Sequence, residues 1–352
     1  MRFLNVDLND ENHIVTPDHF DIEFPIPYHI LKHVSESRAR ISEIIEGKSQ
    51  RLLVIVGPCS IHDEQSAIEY AGKLAELNEL YKGHLEIVMR AYFEKPRTRT
   101  GWKGLLYDPY LNGSPAFNEG LKLTRRILIS INKLGLSAAT EFLEPIHATY
   151  LQELISWGAI GARTTECQLH RQMASELPFP IGFKNGTNGN LDIAVDAIVS
   201  AAAQHTYLSL DKAGILSETT SMGNERCHLI LRGGIKPNYD ELSLHKAKIA
   251  LHEAKVIPNL IVDCSHGNSQ KNAANQLVVL KDLCCQISND GYYIAGVMLE
   301  SFLEEGSQPI KSIKELKYGQ SITDPCLNWK DTASALEKLA DAVAVRFQTS
   351  RL

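Results

Sequence analysis

LLVIVGPCS (52–60) is a continuous hydrophobic run that ends beside a chemically active side chain, Cys59. Seven further runs each deliver a charged residue at or just after their end: EIVMRAY (86–92) with Arg90, SAATEFLE (137–144) with Glu141, IGARTTE (160–166) with Arg163, IGFKNGT (181–187) with Lys184, HLILRGG (228–234) with Arg232, LIVDCSHGN (260–268) with His266 and YIAGVMLES (293–301) with Glu300. Such runs are typical of parallel strands covered on both faces. Since stretches with helical patterning separate almost all of them, we predict an α/β fold, a (β/α)8 TIM barrel with its active site at the carboxyl ends of the strands.

Two segments interrupt this alternation. Residues 1–50 contain a polar, acidic arm (1–27), which we expect to be irregular, and then a helical stretch from residue 29. We assign this unit to regulation and oligomer contacts, and residues 51–352 to the catalytic barrel. The arm and helix either plug the lower end of the barrel or cross to a neighbouring subunit. The run TYLSLDKAGILSETTSMGN (206–224) predicts a β-hairpin inserted before barrel strand six, because its turn-flanked ends carry no charged residue of the recurring kind.

Composition restricts the class of protein. The chain has 352 residues, 44% hydrophobic and 22% charged, as expected for a globular enzyme. Its net charge of −6 gives no bulk attraction to nucleic acid or to an anionic membrane. No apolar run reaches transmembrane length and no N-terminal signal pattern is visible. Seven cysteines without disulfide-scaffold spacing indicate a reducing compartment, so we expect a cytoplasmic protein.

Cations collect at or just after the ends of the hydrophobic runs. They are Arg90, Lys95, Arg97, Arg99, Arg163, Lys184 and Arg232. A single one is most simply a surface salt bridge, but several at one barrel mouth indicate anionic ligands, phosphates or carboxylates. The loop KPRTRTGWKG (95–104) combines cations, hydroxyls and glycine backbone, which is the usual composition of a phosphate-binding segment.

A second group of residues has the character of a metal site. It comprises Cys59, His266, Glu300 and, in the loop 318–326, Asp324. One thiol, one imidazole and two carboxylates suit a divalent ion such as Mn, Fe, Co or Zn. The plainer alternatives are a thiol that acts as a small hydrophobe and a hydrogen-bonded core histidine. If Cys59 and Asp324 meet at a metal, Cys326 lies nearby, and oxidation without metal would link Cys59 to Cys326.

Seven longer motifs narrow the interpretation. They are GPCSIHD (57–63), MRAYFEKPRTRTGWKG (89–104), GARTTECQLHR (161–171), GFKNGT (182–187), LRGG (231–234), DCSHGNSQKN (263–272) and SITDPC (321–326). Together they resemble the type I 3-deoxy-D-arabino-heptulosonate-7-phosphate (DAHP) synthases, in the feedback-regulated branch with a short arm and an internal hairpin. The resemblance implies a metal-dependent barrel that condenses phosphoenolpyruvate with erythrose 4-phosphate and water, giving DAHP and phosphate, the first step of the shikimate pathway toward aromatic amino acids.

The resemblance also assigns roles to individual residues. It implies that the divalent metal is bound by Cys59, His266, Glu300 and Asp324. Phosphoenolpyruvate is expected to contact Arg90, Lys95, Glu141, Ala162, Arg163, Lys184 and Arg232, with Arg163 and Arg232 on its phosphate. Erythrose 4-phosphate is expected near Arg97, Thr98 and Asp324. The candidate catalytic residues are Lys95, His266 and Cys59, and the division of the proton transfers among these residues and bound water stays open.

Three other functions compete with this one. A 3-deoxy-D-manno-octulosonate-8-phosphate synthase would use the same phosphoenolpyruvate chemistry on arabinose 5-phosphate, but the KPRT loop and the chain length disfavour it. A Schiff-base aldolase would use Lys184 as nucleophile, and the cation ring and metal set would then be superfluous. A non-catalytic sugar-phosphate sensor would not need intact metal and substrate motifs.

Regulation and assembly are implied only by the resemblance. Enzymes of this branch are commonly inhibited by an aromatic amino acid, bound between barrel, arm and hairpin. The segment FLEPIHATYL (142–151), with Pro145, is more similar to tyrosine-sensitive members, so we expect tyrosine as the effector. Thr149, the second effector candidate, departs from the glutamine common at its position. A homodimer or homotetramer is the expected assembly.

Overall fold

A computed structural model describes residues 13–289, 291, 293–311 and 313–349, so the first twelve residues of the predicted arm lie outside it. In chain order its strands are β1 (Leu52–Gly57), β2 (Leu85–Arg90), β3 (Ser137–Glu141), β4 (Trp157–Ile160), β5 (Ile181–Lys184), β6 (Thr206–Leu210), β7 (Leu216–Thr220), β8 (His228–Leu231), β9 (Leu260–Asp263), β10 (Ile294–Glu300), β11 (Glu304–Ser307) and β12 (Gln320–Ser321). Within these ranges, eight parallel strands close into a barrel in the order β1-β10-β9-β8-β5-β4-β3-β2. The predicted (β/α)8 fold is therefore confirmed.

Helices cover the outside of the barrel. They are α1 (Pro17–Glu23), α2 (Tyr28–Ile45), α3 (Glu64–Tyr81), α4 (Phe117–Lys133), α5 (Ala148–Leu151), α6 (Gln168–Glu176), α7 (Asp192–Ala202), α8 (Glu241–Glu253), α9 (Asn275–Ser288) and α10 (Trp329–Thr349). Several begin with a side-chain cap, as where Asp63 accepts a hydrogen bond from the Ser66 amide at the start of α3. Every helix in the described part of the chain is too short or too polar to span a bilayer.

Side chains alternate between the two faces of each barrel strand. In β1, Leu53 and Ile55 belong to the cluster inside the barrel, whereas Leu52 and Val54 pack with the surrounding helices. In six of the eight barrel strands the same alternation brings a charged side chain inward near the carboxyl end, one layer above the interior apolar residues. This charged upper layer comprises Arg90, Glu141, Lys184, Arg232, Asp263 and Glu300. Hydrophobic packing below thus fixes the positions of the polar groups above.

Gly57 occupies the matching position at the end of β1. A Cβ atom there would lie 2.4 Å from the Arg90 carbonyl oxygen and 3.1 Å from the Arg90 Cβ. Any side chain would therefore separate β1 from β2 at the point where Arg90 turns inward.

The lower end of the barrel is closed by α2. Its last turns place Ile41, Ile44 and Ile45 in the interior cluster, against residues that include Leu53 and Trp157. Each buried isoleucine contributes roughly 1.5–3 kcal/mol by leaving water. Of the two arrangements considered for this helix, the structure shows the plug.

The arm is more ordered than the sequence indicated. We expected residues 1–27 to be irregular, but Pro17–Glu23 forms α1, with Thr16 as its N-cap and Pro17 in its first turn. Tertiary contacts stabilise this short helix. Asp21 pairs with Arg125 of α4 at 2.8 Å and with Lys212 of the hairpin at 3.0 Å.

The inserted hairpin is present where it was predicted. β6 and β7 pair antiparallel and precede β8, the sixth barrel strand. The turn between them is closed by a backbone hydrogen bond from Asp211 to Ile215, and Gly214 adopts a φ of +76° within it. Through Lys212 the hairpin contacts the arm, so the two insertions meet on one side of the barrel.

A buried histidine of the barrel makes its stability sensitive to pH. His228 at the start of β8 is buried, accepts a hydrogen bond from Trp157 Nε1 (3.1 Å), and lies with Nδ1 3.0 Å from the Arg226 carbonyl oxygen. Burial lowers the pKa of His228 from 6.5 to about 4. The imidazole thus stays neutral when folded, whereas the unfolded chain binds a proton as the pH falls below about 6.5.

We therefore expect the stability contributed by neutral His228 to be complete above about pH 6.5 and to be lost toward pH 4. Between about pH 7.5 and about pH 5 the loss should be roughly 2 kcal/mol. Urea unfolding of the native protein and of His228→Gln at both pH values measures it. An identical pH dependence in both proteins would show that His228 is not responsible.

Candidate active site

The charged upper layer forms the floor of an open cavity of about 460 Å³. Ten of the predicted site residues line it: Lys95, Arg97, Thr98, Glu141, Ala162, Arg163, Lys184, Arg232, His266 and Asp324. Cys59, Arg90 and Glu300 lie beneath, each with at most 2% of its surface exposed. The residues singled out as strand-end chemistry therefore meet at one mouth of the barrel.

Cys59, Glu300 and Asp324 form a compact group of possible metal ligands. Their ligand atoms all lie within 4.8 Å of one another. His266, the fourth predicted ligand, stands beside this group with Nε2 3.7 Å from Glu300 Oε1. A thiol, two carboxylates and an imidazole form a donor set that suits a divalent transition ion. The residues present thus fit the metal dependence implied by the sequence.

Glu300 is held rigidly at the end of β10. Its amide donates to Gln276 Oε1 at 2.9 Å, and its carbonyl accepts from Gln276 Nε2 at 3.0 Å. Arg90 Nη2 donates to Glu300 Oε1 at 3.0 Å. Burial disfavours the carboxylate, but His266 and Arg90 outweigh burial and lower the pKa of Glu300. The side chain is therefore ionised and able to bind a cation.

Cys59 is paired with Lys95. Lys95 Nζ lies 3.1 Å from Cys59 Sγ and 3.2 Å from its carbonyl oxygen. Burial and the nearby Glu300 raise the pKa of the Cys59 thiol, while Lys95 opposes them. Cys326 is close, as the sequence predicted, because the Cys59 amide donates to Cys326 Sγ at 3.4 Å. All seven cysteines are described and all are free.

Two of the four arginines that line the cavity, Arg163 and Arg232, follow barrel strands. Arg163 donates to the Pro96 carbonyl oxygen and to Thr98 Oγ1, both at 3.0 Å, and so joins the β4 loop to the 95–104 loop. Arg232 follows β8, and Asn185 Oδ1 accepts from its amide at 2.8 Å. Burial and the like charge of Arg163 both lower the pKa of Arg232. Mutual repulsion of two guanidinium groups at one cavity favours an anion between them.

Arg90 has a different setting from the other cations. Its guanidinium donates to the carbonyl oxygens of Pro58 (3.1 Å) and Cys59 (3.3 Å) and lies 3.6 Å from the Tyr92 ring centroid. It does not belong to the residues that line the cavity. In this conformation Arg90 supports Glu300 from below.

Two charged residues of the site were not assigned a role from the sequence. Asp263, at the end of β9, is fully buried and accepts from Lys184 Nζ at 2.9 Å. Lys271 lines the cavity, and its backbone φ of +60° is unusual for a residue with a side chain. The alternation of side chains along β9 indicates that Asp263 faces the barrel interior, because Ile261, two residues before it, lies inside the barrel. No comparable pattern marks Lys271.

The predicted effector residues lie away from this cavity. Pro145 begins a turn of 3-10 helix, Pro145–His147, and Thr149 Oγ1 donates to the Ile146 carbonyl oxygen at 2.7 Å. Beside them is a second cavity of about 840 Å³ between the arm, α4 and the hairpin. Its lining includes Tyr107, Phe117, Glu144, His147 and Tyr150. Neither Pro145 nor Thr149 is part of that lining.

Glu94 lies between the second cavity and the active-site cavity. It is 2% exposed and directly precedes Lys95 in the chain. His147 Nδ1 lies 2.8 Å from Glu94 Oε1, and Tyr107, another residue of the second cavity, lies with its hydroxyl 3.5 Å from the same oxygen. A buried contact between a carboxylate and an imidazole therefore lies between the second cavity and the Lys95 loop.

Comparison with known proteins gives a consistent answer. The model of the DAHP synthetase I family matches residues 28–337. The chain is 53% identical to "Phospho-2-dehydro-3-deoxyheptonate aldolase, Trp-sensitive" of Escherichia coli (strain K12), covering 95% of this chain and 96% of that protein. It is 51% identical to the protein of the same name in Buchnera aphidicola subsp. Baizongia pistaciae (strain Bp), covering 96% and 94%.

A solved structure is also similar to the whole barrel. "Phospho-2-dehydro-3-deoxyheptonate aldolase from Francisella tularensis SCHU S4" superposes with a TM-score of 0.94 at 45% identity, covering 97% of this chain and 99% of that one. The family match extends over most of the chain, and it includes every strand of the barrel. The chain belongs to the DAHP synthetase I family.

Proposed function

We propose that this protein is a DAHP synthase, which condenses phosphoenolpyruvate, erythrose 4-phosphate and water to DAHP and phosphate. The observation that carries the proposal is that a group of possible metal ligands and a group of cationic side chains lie at the same mouth of the barrel. Cys59, Glu300 and Asp324 form a metal-ready group, and the cation-lined cavity opens directly above it. The names of the relatives, phospho-2-dehydro-3-deoxyheptonate aldolases, support the same reaction.

Phosphoenolpyruvate is assigned to the deeper part of the cavity. Arg163 and Arg232 bind its phosphate, because two guanidinium groups there face a common space. Lys184 is assigned to its carboxylate, with Arg90 buried in the floor below, and Lys95, Glu141 and the Ala162 backbone complete its surroundings. Arg90 acts in this arrangement from the floor, through Glu300.

Erythrose 4-phosphate is assigned to the outer part. Arg97 and Thr98 belong to the loop that Arg163 fastens to the β4 end, so they present a cation and a hydroxyl to the phosphate. Asp324 lies at the boundary between this region and the metal group. A divalent ion held by Cys59, His266, Glu300 and Asp324 would supply Lewis-acid polarisation of the aldehyde oxygen.

The reaction places clear demands on these residues. The cations hold two anionic substrates at attack distance and offset their mutual repulsion. Carbon 3 of phosphoenolpyruvate attacks the aldehyde carbon, and water adds at carbon 2. The carbon–oxygen bond to phosphate then breaks, and the ketone of DAHP forms. Lys95, whose Nζ lies in the cavity wall beside Cys59, is placed to exchange a proton with the new hydroxyl.

The two enzymatic alternatives make different predictions. Lys184 Nζ is engaged by Asp263 at 2.9 Å, which favours an ammonium group over the free amine that a Schiff base requires. Phosphate release is measured with phosphoenolpyruvate and either erythrose 4-phosphate or arabinose 5-phosphate. Our proposal requires faster release with erythrose 4-phosphate. Preference for arabinose 5-phosphate, or borohydride trapping on Lys184, would replace it with one of the alternatives.

We also propose feedback inhibition by an aromatic amino acid. The sequence favoured tyrosine, but the relatives are named Trp-sensitive, so tryptophan is now the first candidate. The second cavity supports this, because its aromatic side chains suit a ring, and Glu144 suits an ammonium group. The Glu94–His147 pair provides a route to Lys95.

Titration with the three aromatic amino acids tests the effector. We expect tryptophan to lower the steady-state rate at concentrations at which tyrosine and phenylalanine leave it unchanged. Inhibition by tyrosine alone would restore the assignment made from the sequence. No inhibition by any of the three would remove feedback control from the proposed function.

Assembly belongs to the same proposal. Residues 1–50 form a regulatory unit that also contacts other subunits, and residues 51–352 form the catalytic unit. The docking of the arm on α4 and on the hairpin supports a regulatory role for the described part of this unit. A homodimer or homotetramer in the cytoplasm is the proposed form, and light scattering of the purified protein measures its mass.

The proximity of Cys326 to Cys59 leads to a redox prediction. When metal is removed and the protein is oxidised, we expect a Cys59–Cys326 disulfide, because the two residues already touch through the Cys59 amide. The bond would consume a metal ligand and prevent reloading until a thiol reductant is added. A peptide map under non-reducing conditions detects the linked peptides. Oxidised apo-protein that lacks them would refute the prediction.

A further inference from the structure

Asp263 is a buried carboxylate that contacts two residues of the proposed site, Lys184 and His266. It ends β9, is 0% exposed, and lies within the charged upper layer of the barrel. Oδ2 accepts from Lys184 Nζ and lies near His266 Nδ1, each at 2.9 Å. Oδ1 accepts from the Ser265 amide at 2.9 Å and from Ser265 Oγ at 2.5 Å. One carboxylate thus joins a proposed substrate residue to a proposed metal ligand.

These contacts fix which nitrogen of His266 is available. A carboxylate only accepts hydrogen bonds, so the Nδ1 atom facing Asp263 carries a hydrogen. Ser265 Oγ, 2.7 Å from the same nitrogen, uses its own hydrogen toward Asp263 and accepts as well. In the neutral imidazole the lone pair is then on Nε2, which faces Glu300 Oε1 at 3.7 Å. Partners of this kind orient metal-binding histidines and strengthen them as ligands.

The backbone of His266 makes such an anchor necessary. Its φ of +55° is a conformation that residues with a side chain rarely adopt. Two further residues of the same loop, Gln270 and Lys271, share the feature, at +54° and +60°. Strained backbone of this kind persists only where surrounding contacts hold it. The Asp263 side chain contacts the imidazole of His266. The backbone carbonyl oxygen of Asp263 accepts a hydrogen bond from Asn268 Nδ2 at 2.8 Å, which connects the loop to the end of β9.

The ammonium group of Lys184 is bound by the same carboxylate oxygen, Asp263 Oδ2. The Lys184 side chain is 4% exposed, and a buried ammonium group needs an anionic partner to keep its charge. The salt bridge to Asp263 supplies that partner and directs Nζ along the cavity wall. We propose that Asp263 is a positioning residue, which sets Lys184 and His266 in place for phosphoenolpyruvate and metal binding together. The inference rests on the proposed function for what those two residues bind.

Asp263→Asn tests the role without changing the volume of the side chain. The amide cannot offer two charged acceptors, so we expect Mn²⁺ binding to metal-stripped protein to weaken roughly 10- to 100-fold. At saturating Mn²⁺ the KM for phosphoenolpyruvate should also rise. Calorimetric titration measures the first effect without either substrate. Native Mn²⁺ affinity together with native KM would overturn the proposal.

Glu86→Gln is the matched control. Glu86 is also a buried carboxylate with two cationic partners, Arg40 at 3.0 Å and Arg51 at 2.9 Å, but it lies near the start of β2, away from the cavity. It should lower stability without changing Mn²⁺ affinity. If Glu86→Gln weakens Mn²⁺ binding as much as Asp263→Asn does, loss of a buried ion pair is the cause, and the positioning role is wrong.

A double-mutant cycle tests whether Asp263 affects Mn²⁺ binding through His266. If Asp263 acts on the metal through that ring, Asp263→Asn/His266→Asn should bind Mn²⁺ no more weakly than His266→Asn alone. Additive losses would overturn that route. Because the titration uses no substrate, native protein that is inactive on phosphoenolpyruvate and erythrose 4-phosphate would refute the proposed function, while the Mn²⁺ results would still decide the role of Asp263.

Discussion

Replacing Cys59 by alanine is expected to lower kcat/KM about 10³-fold or more, because Lewis-acid stabilisation is worth several kcal/mol and each tenfold loss corresponds to about 1.4 kcal/mol. Cys59 Sγ is one of three ligand atoms that lie within 4.8 Å of one another, so its removal takes away one of the proposed metal ligands. Mn²⁺ titration and steady-state phosphate release are measured on the same preparation. Both should fall together.

Cys227→Ala provides the control for loss of a buried thiol. Cys227 is 1% exposed and precedes β8 at the opposite end of the barrel from the cavity. Its substitution removes the same atom from a packed interior but should leave kcat/KM and Mn²⁺ affinity close to native. A Cys59→Ala protein with nearly native turnover at low Mn²⁺ would exclude Cys59 from the metal site.

Replacing Lys95 by methionine should lower kcat by about 10²- to 10⁴-fold, the range associated with a positioned proton donor or acceptor. Lys95 is 8% exposed, lines the cavity, and places Nζ 3.1 Å from Cys59 Sγ. Methionine keeps an unbranched side chain, one heavy atom shorter, and removes the charge. The assay is run at saturating Mn²⁺, so that any weakening of metal binding does not contribute to the change.

Lys103→Met tests whether any charge in this loop has the same effect. Lys103 is exposed, and its Nζ lies 5.8 Å from the centroid of the Tyr107 ring. It does not belong to the cavity lining, so its kcat should stay within a few-fold of the native value. A Lys95→Met enzyme with kcat within tenfold of native would show that Lys95 does not transfer a proton.

The strand-end pattern predicted the barrel because burial on both faces leaves a strong signal in sequence. Glu141, Lys184 and Glu300 each end a strand, as expected, and all three belong to the charged upper layer. A parallel barrel brings the carboxyl ends of its strands to one mouth. The strand-end motifs therefore predict a single site.

Other features depend on packing that sequence does not reveal. In the run 260–268 the sequence pattern points to His266, whereas Asp263 is marked as an interior residue by its position two residues after Ile261, which lies inside the barrel. Helix α1 forms because Asp21 finds partners on α4 and on the hairpin, far along the chain. The second cavity likewise arises from distant segments, so Pro145 and Thr149 indicated its neighbourhood and not its lining.

The central claim is that a metal site and a cation cradle act together at one barrel mouth. Phosphate release from phosphoenolpyruvate and erythrose 4-phosphate, by metal-stripped protein before and after addition of Mn²⁺, tests it most directly. We predict no release above background from the stripped protein and full turnover once Mn²⁺ is added under reducing conditions. Undiminished turnover by the stripped protein, or no phosphate after reloading, would contradict the account.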